Sequence, residues 1–221
     1  MEKEIADILK YLEEIHNFSL PKYKELPGVA LYMEQVLSYI NGMLTVLSPT
    51  ETKPLTSFMV NNYVKAKMIS EPVKKKYSKE QIGYLIAITL MKTTVSMSEM
   101  EVLLKLDKGI SPNKEKLYRF WSEVEGTLLS EACKKTSSRI EGISRRYQTD
   151  AKNDEALAAE NARNALGLIA MRLAIQAQAN KLLSDYIILK IGESMQEGDG
   201  SQKVSSKSAS KNKSKEKKEK K

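Results

Sequence analysis

The stretch TSFMVNNYVKAKMISEPVKKKYSKEQIGYLIAITLM, residues 56–91, decides how the chain is read. Pro54 lies just upstream of it, where a helix start tolerates proline. The spacing predicts a helix over 56–68, with Phe58, Met59 and Tyr63 facing inward and Val60 and Val64 as further inward candidates. Thr56, Ser57, Asn61, Asn62 and Lys65 stay polar, an unusual density of short hydrogen-bonding side chains. Pro72 stops that helix, and SEPVKKKYS (70–78) reads as an extended loop or short strand. Ser78, with Gln81 three residues later, forms a capping box. It opens an apolar helix carrying Ile82, Leu85, Ile86, Ile88, Thr89 and Met91. After a break at 93–95, Ser96 or Ser98 caps a further helix with Met100, Leu103 and Leu104.

Short polar side chains beside a run of lysines suit contact with duplex DNA. A recognition helix needs short polar side chains that reach base edges in the major groove. Asn pairs with adenine through two hydrogen bonds, and Ser or Thr can meet several bases. Thr56, Ser57, Asn61 and Asn62 are therefore the base-reading candidates. Lysines supply the phosphate contacts that position such a helix. Residues 60–79 carry a net charge of +5. Lys65, Lys67, Lys74, Lys75, Lys76 and Lys79, with Tyr77 among them, are the phosphate and wing candidates.

The same residues resemble the winged helix-turn-helix of MerR-type regulators. In that family the recognition helix ends in Tyr-Tyr-Glu-x-x-Gly-Leu-Leu, and here the counterpart runs from Asn62 and Tyr63 to Met68 and Ile69. Lys67 stands where the family has its glycine. The family's wing carries Arg-x-Tyr-Ser, which Lys75-Lys76-Tyr77-Ser78 matches with Lys for Arg. Its next helix and a following Ser-Glu…Leu-Leu element correspond to Ile82, Leu85, Ile86 and to Ser98, Glu99, Leu103, Leu104. The phrases MVNNYVKAKMI and KKKYSKEQI are also similar to an uncharacterised family of small Gram-positive bacterial proteins, a domain of unknown function with a MerR-like segment and helical flanks. The resemblance implies a DNA-binding winged helix-turn-helix over 55–106.

Outward from this segment, the chain reads as helical. Ile5, Ile8, Leu9, Leu12 and Ile15 form one stripe over residues 2–16. Val29, Met33, Val36, Leu37, Ile40, Leu44 and Leu47 form a second stripe over 29–47. Pro49 and Pro54 bound the loop that follows. Ser111-Pro112 starts a long helical region interrupted near 136–138. Asn153-Asp154-Glu155 opens a last helix reaching about residue 195. From 165 to 191 it is apolar almost all round, yet Arg172, Gln176, Gln178, Lys181 and Asp185 weigh against a membrane span. It should be enclosed, either by the rest of the chain or by a second subunit as a homodimer through residues 153–195. From 198 to 221 the sequence holds nine Lys and only two apolar side chains, which predicts a disordered basic tail.

The 221 residues carry a net charge of +8, but +6 of it sits in that tail. Residues 56–106 hold +4. One His and one Cys exclude a multi-His metal site and a disulfide framework. His16 ends the first helix, where it suits the helix dipole. Cys133 reads as a packed, inert thiol. No phosphate-binding glycine loop and no metal-ligand spacing is present in the sequence. The sequence therefore predicts a mainly α, cytoplasmic, non-enzymatic protein without cofactor or metal. Its segments are N-terminal helices (1–54), the winged helix-turn-helix (55–106), a helical bundle for oligomerisation (107–197) and the tail (198–221). The expected function is a sequence-specific DNA-binding transcriptional regulator. The alternatives are a helical protein–protein adaptor that retains the fold without reading DNA, and general anionic-surface binding through the tail.

Overall fold

A computed structural model describes residues 1–48, 53–110 and 114–216, with side-chain environments given over 1–48, 53–106 and 115–195. The chain is mainly α. Its seven helices among the described residues are α1 (Glu2–His16), α2 (Met33–Leu44), α3 (Ser57–Lys65), α4 (Lys79–Met91), α5 (Met97–Ile110), α6 (Lys114–Asp150) and α7 (Glu155–Glu216). Two short strands, β1 (Leu31–Tyr32) and β2 (Lys76–Tyr77), pair antiparallel with Leu31 opposite Tyr77 and Tyr32 opposite Lys76.

The second stripe was expected to be helical from residue 29. The helix starts only at Met33, because Leu31 and Tyr32 are drawn into the pairing with β2. Val29 consequently lies outside the stripe and is exposed. Gln35 closes the helix start by accepting the Tyr32 N–H at 3.0 Å. The segment that begins at residue 55 therefore shares both its sheet and its core with residues before it. Val36, Ile40 and Leu44 of α2 join Leu55, Val60 and Tyr63 of the α3 region and Ile82, Leu85, Ile86 and Ile88 of α4 in one buried cluster. Helix α4 is buried almost all round, as its composition requires.

Gly83 lets α4 approach α6: a Cβ there would lie 3.1 Å from the Tyr118 ring edge. Tyr118 is held in place because its hydroxyl donates to the Pro21 carbonyl at 3.1 Å. Burial also keeps that phenol well above its ordinary pKa. Helix α1 packs antiparallel on α6, with Gln148 near Glu2 at 3.3 Å and Ser130 near the His16 ring at 3.1 Å. Between those contacts Cys133 is buried, and desolvation raises its thiol pKa. α6 does not break at 136–138. Thr136 is buried instead, so packing holds the helix through that run of short polar residues.

Asp154 caps α7, its carboxylate accepting the Leu157 N–H at 3.0 Å. Two anchors hold α7 against the rest of the chain. Near its start Ala158 and Ala162 are buried, and further on Lys181 bonds Glu99 of α5 at 3.1 Å. Between the anchors, every residue from 171 to 180 is exposed. Among the described residues the rest of the chain does not enclose this apolar stretch: α6 and α5 meet α7 on either side of residues 171–180. α7 also continues through residues 198–216, where composition predicts disorder. Extending an existing helix needs no new nucleus, and no proline follows Pro112 to stop it. Part of the proline loop (49–52), the helix start at Ser111-Pro112 and residues 217–221 lie outside the described residues. No helix among the described residues is long and apolar enough to cross a membrane.

Candidate nucleic-acid interface

Helix α3 begins at an N-cap, Thr56, whose hydroxyl accepts the Met59 N–H at 3.3 Å. That engagement gives Thr56 a structural task alongside the base-reading one expected of it. Val60 and Tyr63 turn into the core. Ser57, Asn61 and Lys65 lie four residues apart and share the exposed face, with Asn62 half-buried at its edge. Phe58, expected inside, is 72 % exposed beside them. It sits more than half a helical turn from Val60 and cannot share the buried stripe. An exposed Phe on such a face can meet a thymine methyl group, so Phe58 joins the candidate surface.

The end of α3 is closed by a left-handed residue. The Lys67 N–H donates to the Val64 carbonyl at 2.9 Å, and the Met68 N–H to that of Tyr63 at 3.0 Å. This closure needs positive φ at the residue between, normally glycine. Lys67 adopts it, with φ of 56°. The turn that the resembling family makes with glycine is thus made here by a strained lysine, whose side chain stays exposed.

Residues 73–76 form a tight turn. Lys76 N–H donates to the Val73 carbonyl at 3.0 Å, and Lys74 and Lys75 between them have φ of 51° and 62°. Two consecutive positive φ values define the hairpin turn that Asn-Gly ordinarily occupies. Both lysines are exposed. The alternation of β2 then sends Lys76 outward and Tyr77 inward. Lys76 lies 4.7 Å from the centroid of the Tyr32 ring. Tyr77, expected among the phosphate contacts, is only 3 % exposed, and burial raises its pKa. It anchors β2 in the core. Lys79 is half-buried and tethered: it donates to the Lys24 carbonyl at 3.2 Å and lies 5.0 Å from the Tyr23 ring centroid.

Gln81 ties together the two ends of the segment 70–78. Its amide oxygen accepts the Ser78 N–H at 2.7 Å, completing the expected capping box. Its amide nitrogen donates to the Ser70 carbonyl at 2.7 Å. The side chain is buried, so this one residue joins the start of α4 to the chain leaving α3. On the other side, Lys92 donates to the Pro54 carbonyl and lies 3.5 Å from the Met59 sulfur. Its pKa is lowered by desolvation. The structure thus leaves Ser57, Asn61, Lys65, Lys67, Lys74 and Lys75 free at the surface, Asn62 and Lys76 partly so, and removes Tyr77. Among the described residues no group of His, Cys, Asp or Glu could hold a metal ion.

A small, mainly α core with one two-stranded pairing, preceded by a lysine turn at 73–76, is the class these elements define. A domain of unknown function, DUF1836, is found over residues 21–121, which covers α2 to α5, both strands and the start of α6. No curated protein and no solved structure matches the chain.

Proposed function

We propose that the chain is a sequence-specific DNA-binding transcriptional regulator that binds duplex DNA as a homodimer through a MerR-like winged helix-turn-helix. One observation carries the reading. Three lysines, Lys67, Lys74 and Lys75, occupy left-handed positions at the end of α3 and the tip of the wing, with their side chains exposed. Each such residue costs about 1–2 kcal/mol that glycine would avoid. A backbone cost borne three times by the same cation, beside a helix face of Ser57, Asn61 and Asn62, fits selection for charge at a polyanion. In this reading α3 lies in the major groove and Asn61 reads a base. Phe58 packs on a neighbouring methyl group, and the wing lysines contact phosphate.

The test separates positioning from reading. Replacing Lys74, Lys75 and Lys76 with Ala should weaken binding to selected duplex DNA. It should also flatten the dependence of log affinity on log salt by about 0.9 per lost phosphate contact. Asn61→Ala should instead cost about 1–3 kcal/mol at one base pair and relax preference there. Failure of the tail-deleted chain to enrich any motif from a random duplex pool would remove the regulator reading.

A further inference from the structure

We infer that the uncovered flank of α7 is the seam of an antiparallel helix pair with a second copy of this chain, with the two-fold axis at Ala179. The inference rests on the homodimer part of the proposed function, and not on DNA binding.

Helix α7 meets α5 along one side. Lys181 bonds Glu99, Ile188 is buried, and Gly192 stands where a Cβ would lie 3.6 Å from Val102. About a quarter turn round the helix lies a second line of residues: 168, 172, 175, 179, 182, 186 and 189. Their spacings alternate four and three, the period of a coiled-coil seam. All of them are exposed, and the five large uncharged ones are between 55 and 70 % exposed. Among the described residues nothing covers them. With the flanking Met171, Leu183 and Ile187 they present on the order of 800 Å² per chain, one partner's share of a standard stable interface. A patch of that size exceeds what a monomer ordinarily leaves in water.

The seam's own sequence identifies the occupant. Read from either end it runs large, long polar-tipped, large, small, large, long polar-tipped, large. Turned about Ala179, Arg172 meets Tyr186 of the second copy, and Leu168 and Ile175 come within one residue of Leu189 and Leu182. The small Ala179 meets its own counterpart, where the two backbones come closest. A two-fold interface demands this self-complementarity. A parallel pair would instead set Arg172 against Arg172, a like-charge contact inside an apolar seam. The antiparallel pair gives each arginine an aromatic ring, and Tyr186 already has Lys190 5.7 Å from its ring centroid.

Sedimentation equilibrium of the full chain, without DNA, reads the association directly. The wild-type chain should be dimeric at micromolar concentration. The variant carrying Ile175→Glu and Leu182→Glu should be monomeric with unchanged helicity, since both side chains are exposed in the single chain. Two Cys133→Ala preparations, one bearing Ile175→Cys and the other Leu182→Cys, should give a mixed disulfide dimer on co-oxidation. A monomeric wild-type chain would overturn the homodimer itself. A dimer that survives the paired Glu substitutions would overturn the seam. Cross-linking of Ile175→Cys only to itself would overturn the antiparallel arrangement. Loss of DNA retention by an intact dimer would count against the regulator reading and leave the seam standing.

Discussion

Asn41 pairs with Leu55 as one β-strand residue pairs with another. Its amide nitrogen donates to the Leu55 carbonyl at 2.8 Å, and its amide oxygen accepts the Leu55 N–H at 2.7 Å. Leu55 itself is fully buried. One side chain of α2 therefore satisfies both backbone groups of the residue that leads into α3. It holds the two helices in register across a connection too long to do so by itself.

Asn41→Leu should leave both of those backbone groups without their partner. At about 1–3 kcal/mol for each of the two stranded groups, the loss should be about 2–6 kcal/mol by urea unfolding. Asn41→Asp keeps the acceptor and loses the donor, so it should fall between wild type and Leu. Equal stability of the Leu variant and wild type would show that water replaces the pair.

Lys67→Gly should stabilise the chain. Relief of left-handed strain brings about 1–2 kcal/mol, and the greater freedom of glycine in the unfolded chain takes back about 0.4–1. A net gain of about 0.5–1 kcal/mol follows, read as a higher denaturation midpoint with an unchanged slope. If a DNA phosphate is met here, affinity should fall while stability rises.

The turn at 73–76 offers the sharper form of that trade. Lys74→Asn with Lys75→Gly installs the sequence this turn ordinarily uses, and should raise stability by about 1 kcal/mol. Lys74→Ala with Lys75→Ala removes the same charge and keeps the strain. Both pairs should lose DNA affinity alike, and only the first should gain stability. Equal thermal midpoints for the two would deny that the turn is strained.

Glu99 joins the start of α5 to α7. It accepts the Ser96 N–H at 2.7 Å and bonds Lys181 at 3.1 Å. The Ser96 backbone and hydroxyl, then Lys181 and Asp185, lower its pKa from 4.5 to about 2. The folded chain thus holds the carboxylate more strongly than the unfolded chain does. The contribution is present above pH 4.5 and is lost as pH falls toward about 2. Glu99→Gln should remove that part of the acid sensitivity, measured as a smaller drop in unfolding midpoint between neutral and acid pH. An unchanged acid profile would mean that the bridge adds nothing in solution.

The local features were legible because their causes are local. Pro72, the Ser78 and Gln81 box and the apolar run after it placed α4 correctly. The period of Val36, Ile40 and Leu44 placed most of α2. Phe58 carries an inward signal in its composition, while its angle from Val60 sets it outside the buried stripe. Tyr77 was grouped with its lysine neighbours, although strand alternation turns it the other way. The role of Asn41 and the bond from Gln81 to Ser70 had no sequence signal, since those partners lie 14 and 11 residues away in loops.

By itself, the sequence determined helix class, element order and where charge collects, because periodicity, capping and composition act over a few residues. Tertiary structure alone decided which side of each element is covered. It put β1 against β2, buried Tyr77, exposed Phe58 and left one flank of α7 open while α5 took another. Those outcomes depend on which distant surfaces meet. A helix that is apolar on every side carries no local mark of which side will be the last one left in water.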